Sequence, residues 1–256
     1  MFFSNSWLKA THELKKIGLM IVALLSGHLF GQQSYFNVPS SDKTEEGTWF
    51  FQQQTNFTSG VAVGNFTVDF GLKRDCELGV NLLQFDRNYL ISTTKNVSIP
   101  KELNSPILSI NAQKFIQVNS HVQFAIGGIA GANYVSSVGQ IRMSYLGFSN
   151  MKLSCKILKF TMGVWTGNRG FVGSGRGLFS VSSSHTVGVQ MGGELILGRN
   201  FSVIADHITG NTAISMSTLG LAQKISRSWI LSCGIQMPNP NPLHPNGIVI
   251  ELTRAL

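Results

Sequence analysis

From residue 47 onward the chain alternates apolar and polar side chains with a period of two, in runs too long for an ordinary sheet. Along 61–72, Ala62, Phe66, Val68, Phe70 and Leu72 share one face, and Val63, Asn65, Thr67 and Asp69 the other. The same pattern recurs along 76–84, 185–197 and 228–237. Such runs fall at 47–58, 61–72, 76–84, 106–118, 121–134, 140–149, 153–166, 185–197, 200–209, 212–223, 227–237 and 246–255. Soluble strands average about 5–6 residues, whereas a strand that crosses a bilayer needs about 9–11. Length therefore predicts an all-β fold: a transmembrane antiparallel β-barrel of about twelve strands over 47–256.

The polar faces support this. A soluble sandwich would show water a surface rich in Lys and Glu. Here only 20 Lys or Arg and 12 Asp or Glu occur in 256 residues, and the polar faces are mainly Gln, Asn, Ser, Thr and Gly, which suits a confined lumen. Asp69, Glu77, Arg142, Lys159, Gln190, Glu194, Asp206 and Glu251 are the candidate lumen-lining residues. The charged ones either line a pore and set its ion preference or pair and plug a narrow barrel. Lys114 and Lys156 fall on apolar faces and require places near an interface or a shift of register. Trp49, Phe50, Tyr134, Trp165 and Trp229 lie near strand ends as candidates for interface girdles or for core positions.

The connections differ in length by parity, although the first and ninth, near 59–60 and 210–211, are also short. Those at 73–75, 119–120, 150–152, 198–199 and 224–226 are tight, while the long ones, 85–105, 167–184 and 238–245, all fall on the opposite parity. Short periplasmic turns and longer external loops are the barrel pattern. Arg169 and Arg176, in the glycine-rich stretch 167–177, are candidate external-loop contacts. That stretch is not a phosphate loop, because Arg176 and Gly177 stand where Lys and Ser or Thr are required.

Residues 1–31 read as an export signal, with Lys9, Lys15 and Lys16 before an apolar run that starts at Ile17. Residues 32–46 are then expected as an N-terminal periplasmic segment. Together these features resemble the bacterial outer-membrane β-barrel superfamily. Gly247, Ile250 and Leu252 match part of the C-terminal signal read by the barrel-assembly machinery, although Pro245 and the terminal Leu256 depart from it. The resemblance implies a Gram-negative outer-membrane location. The partners it implies are outer-membrane lipid, lipopolysaccharide, the assembly machinery and a small solute.

No cofactor, metal or nucleic acid is expected: the three cysteines show no metal spacing and the basic residues are dispersed. Outer-membrane lipid hydrolases resemble one another in a His-x-Ser pair on a strand, and none is present; the nearest case is His207 with Thr209, beside Asp206. The expectation is therefore a non-enzymatic, narrow porin-like channel. The alternatives are a structural or adhesive barrel working through its loops, and, further off, a lipid-modifying enzyme.

Overall fold

The computed structural model describes residues 34–58, 61–89, 106–135, 139–173, 175–182, 184–239 and 246–255. The alternating runs become β1 (Trp49–Thr58), β2 (Val61–Leu72), β3 (Cys76–Tyr89), β4 (Ile107–Gln117), β5 (Val122–Val135), β6 (Gln140–Ser154) and β7 (Leu158–Asn168). After a single helical turn, α1 (Arg169–Val172), and a two-residue β8 (Phe179–Ser180) come β9 (His185–Ile196), β10 (Phe201–Ile208), β11 (Met216–Lys224), β12 (Trp229–Pro238) and β13 (Gly247–Ala255). All pairings are antiparallel between chain neighbours, and β13 returns to β1 from Gly247↔Thr58 to Ala255↔Phe50. Setting aside β8, which pairs with β9 at Phe179↔Val187 and Ser180↔Thr186, twelve strands form a closed barrel that leaves no strand edge free among the described residues.

Closure follows from the faces. Leu78, Val80, Leu108, Ile110, Ile126, Leu219 and Ile235 point outward and are exposed. Their polar neighbours Asn81, Ser109, Gln123, Thr218 and Gln236 are buried inside. Trp49 meets Phe70 in a tilted pair at 4.8 Å between ring centroids, and Arg254 lies 5.3 Å from the ring of Trp229. Phe50 and Trp165 are instead fully enclosed by the barrel wall.

Several boundaries differ from the sequence pattern. Residues 150–152, expected as a turn, continue β6, because Asn150 and Lys152 carry on the inward alternation and are buried. The turn lies at 155–157, closed by Cys155 N donating to Leu158 O at 2.8 Å, which puts Lys156 outside the strands and exposed. Lys114 stays on the outer face near the end of β4, where its Nζ donates to Arg74 O in the 73–75 turn. Both lysines thereby escape the middle of the apolar band. A break in register between β2 and β3, with Gln84 at φ 60°, forms a bulge that Asn65 Oδ1 secures by accepting from Gln84 N at 2.9 Å. The expected signal at 1–31, residues 90–105 of the third loop and 240–245 of the last lie outside the described residues.

Candidate functional site: the plugged lumen

The lumen is occupied by the chain's own N-terminal segment. Residues 34–46, expected in the periplasm, run up inside the barrel wall and turn back. Tyr35 N donates to Val38 O at 2.9 Å, and Ser34 bridges Pro39. Tyr35, Phe36, Val38, Ser40 and Ser41 are all at most 2% exposed. The segment carries no alternation, so local pattern could not place it. Its partners lie far away in sequence.

Those partners ring the barrel. Gln52 and Gln54 on β1 donate to Ser34 Oγ and Phe36 O. Glu77 on β3 accepts from Thr44 N and Oγ1, both at 3.2 Å. Gln123 on β5 donates to Ser41 O at 2.7 Å, and Asn150 on β6 to Pro39 O at 3.1 Å. Thr161 on β7 donates to Ser40 O at 2.9 Å. Asp206 on β10 accepts from Asn37 N at 2.6 Å and Val38 N at 3.2 Å, while Asn37 Nδ2 donates to Thr218 Oγ1 on β11 at 2.8 Å. Contacts with seven strands place the segment across the whole section of the barrel.

Charge fixes its lower part. Asp42 meets Lys152 at 2.7 Å and Lys159 at 3.4 Å, and Lys159 also meets Glu194 at 3.2 Å. Burial works to raise the Asp42 carboxyl, but Lys159 and Lys152 outweigh it and hold the group below its ordinary value.

Glycines in the wall make room for the plug rings. A Cβ at Gly192 would stand 2.3 Å from the ring of Tyr35. One at Gly220 would stand 2.8 Å from Phe36, and one at Gly71 would strike the backbone of Glu45. The same two rings, with Val38, join Trp165, Ile204 and Val249 in an apolar cluster within the lumen.

Of the expected lumen residues, Asp69, Glu77, Gln190, Asp206 and Glu251 are buried inside. Lys159 and Glu194 join the Asp42 network. Asp69 accepts from Asn111 Nδ2 at 2.7 Å, and Gln190 donates to Asn150 Oδ1 at 2.7 Å. Arg142 shares the inward face of β6 with Ser144, farther toward the external end. Glu77, Lys159 and Asp206 hold the plug; Ser40, Ser41 and Asp42, which complete that site, carried no signal in the sequence.

Toward the external end, α1 and the 209–215 connection fold inward. Ala213 N donates to Val172 O at 2.8 Å, and Thr212 and Val172 are buried. This shortens β11 relative to the expected 212–223. Between these elements and the plug lies a cavity of about 400 Å³. Gln52, Gln54, Asn56, Asn65, Asn81 and Gln236 form one side, and Ile107, Ile129, Leu146, Phe171, Ile208 and Ile214 the other. Arg169 and Arg176 are exposed and line a second recess, with Ser180, Ser182 and His185, at the rim. His207 turns away from Asp206 and pairs its Nδ1 with Ser217 Oγ at 2.8 Å, while Thr209 Oγ1 donates to Val189 O.

A closed antiparallel barrel with an apolar outer face has the build of a protein that crosses a membrane on strands. No protein-family model matches the chain, and no curated protein matches it. Among solved structures it is similar to the KdgM porin, with a TM-score of 0.56 and 7% identity over 81% of this chain and 99% of that one. It is similar also to the NanC porin, with a TM-score of 0.56 and 9% identity over 81% and 100%. A looser likeness, at a TM-score of 0.45 and 11% identity over 83% and 93%, is to outer membrane phospholipase A from Escherichia coli. At these identities the likeness shows the fold and no more: a closed antiparallel β-barrel.

Proposed function

We propose that this protein is an outer-membrane channel for a small solute, held shut by its own N-terminal segment. On this reading residues 1–31 direct export and the barrel resides in the Gram-negative outer membrane. The observation that carries it is the manner in which the plug is held. Residues 34–46 meet the barrel strands through side chains, so the segment can leave without breaking the strand ladder that closes the barrel. A stopper fixed in this way suits gating. The fold likeness to the KdgM and NanC porins agrees with it.

A structural or adhesive barrel is the second reading. It is favoured by the apolar cluster that fills part of the lumen and by the exposed Arg169 and Arg176 at the rim, which suit anionic lipopolysaccharide. Liposome uptake separates the two. Protein lacking residues 34–46 is expected to admit small neutral solutes at least tenfold faster than the intact chain. Equal and negligible uptake by both would favour the closed scaffold.

A further inference from the structure

The charges of the lumen are unevenly placed. Asp42, Glu77, Lys152, Lys159 and Asp206 are engaged at the level of the plug. The cavity above it has no Asp, Glu, Lys, Arg or His among its described lining residues, while nine of them are Asn or Gln.

Its two sides differ in chemistry. The amide side lies on β12, β1, β2 and β3, which adjoin around the wall through β13. Its polar groups are linked: Gln236 Nε2 donates to Asn56 Oδ1 at 3.0 Å, and the Thr67 hydroxyl to Asn81 Oδ1 at 2.8 Å. Asn81 is 3% exposed, and its Nδ2 has no hydrogen-bond partner among the described residues. A buried donor at a cavity wall calls for an acceptor there. The β3 bulge brings both Leu83 and Gln84 to the lining. The facing side, from β4 to β6 with α1 and β10, is aliphatic and aromatic.

An amide offers donor and acceptor without charge. A charged solute here would lose its hydration with no counter-charge to replace it, and a wholly apolar one would leave the amides facing carbon. About 400 Å³ is near the lower end of ordinary small-molecule sites.

We infer that this cavity binds an uncharged, polyhydroxylated ring compound, of one or two rings, with its hydroxyl edge on the amides of β1–β3 and its C–H face against Ile107, Ile129 and Phe171. This rests on the channel reading only in taking the cavity as a stage on the solute's path. Binding itself is measured without conduction, so either idea can fail alone.

The experiment is calorimetric titration of the full mature chain in phospholipid nanodiscs, which avoids sugar-based detergent. The probes are maltose and cellobiose, with glucuronate and glucosamine as charged counterparts. The neutral disaccharides are expected to bind at least tenfold more tightly than either charged sugar. Asn81→Ala should weaken them about tenfold, and Asn81→Asp should remove the preference for neutral probes. Gln236→Glu provides a second, independent introduction of charge, and heat-modified gel mobility verifies that each variant is folded. Equal or tighter binding of a charged sugar, no binding of either disaccharide, or unchanged affinity in folded Asn81 and Gln236 variants would overturn the inference. Selective binding by a protein whose plug-deleted form passes no solute would leave this site standing and remove the channel.

Discussion

Gly192 and Asp42 show how single residues seat the plug in the lumen. Gly192 is a notch into which the ring of Tyr35 fits, and any larger side chain must displace that ring. Gly192→Leu should therefore loosen the plug and speed thiol labelling of a cysteine placed at Val38 by more than tenfold, with the barrel still formed. Asp42→Asn acts through charge. It leaves Lys152 without its carboxylate in a buried place, and breaking such a pair typically costs about 3–5 kcal/mol. The same labelling assay should detect it. The pH dependence has a definite sign. Asp42 ionises more readily in the plug than in water, so its stabilisation of the seated plug is complete above about pH 4. It is lost as pH falls through the depressed value. The groups facing it are Lys152 from β6 and Lys159 from β7, the latter shared with Glu194 of β9. Liposome uptake should stay flat from pH 7 to about pH 5 and rise below about pH 4. A rise confined to the alkaline side would contradict this assignment.

The strands obey the bilayer on one face and the lumen on the other. Ile110, midway along β4, is 60% exposed on the outer face. Ile110→Arg should destabilise the inserted barrel by about 2–4 kcal/mol, read by urea unfolding in phospholipid vesicles. Lys156→Ala, in an exposed turn, should change stability by less than about 0.5 kcal/mol. Strand faces were legible in the sequence because lipid and lumen impose opposite demands on successive residues: Val63, Asn65, Thr67 and Asp69 line up as their alternation requires. Boundaries were less legible. Asn150 and Lys152 look like turn residues, yet each is buried on the inward face, where Pro39 and Asp42 bind them. The plug was not legible at all. Ser40, Ser41 and Asp42 are ordinary loop residues locally, and only partners more than 80 positions away determine their place.

The whole molecule joins a rigid wall to a stopper drawn from the same chain. The scarcity of charge has a division of labour behind it: Glu77, Lys152, Lys159 and Asp206 secure the plug, and the cavity above is left to amides and aliphatic groups. The plug also explains why glycines occur at inward positions such as 71, 192 and 220, where rings or backbone pass against the wall. Departure of the plug from this seat is expected to open the barrel. It is tested most directly by tethering the plug. In a background with Cys76, Cys155 and Cys233 changed to Ser, cysteines at Asn37 and Thr218 would be joined by a short, cleavable thiol cross-linker, and single-channel current followed in a planar bilayer at pH 3.5. No openings are expected while the link is intact, and discrete conductance steps once it is cleaved. The same conductance before and after cleavage, or none in either state and none after deletion of residues 34–46, would contradict it.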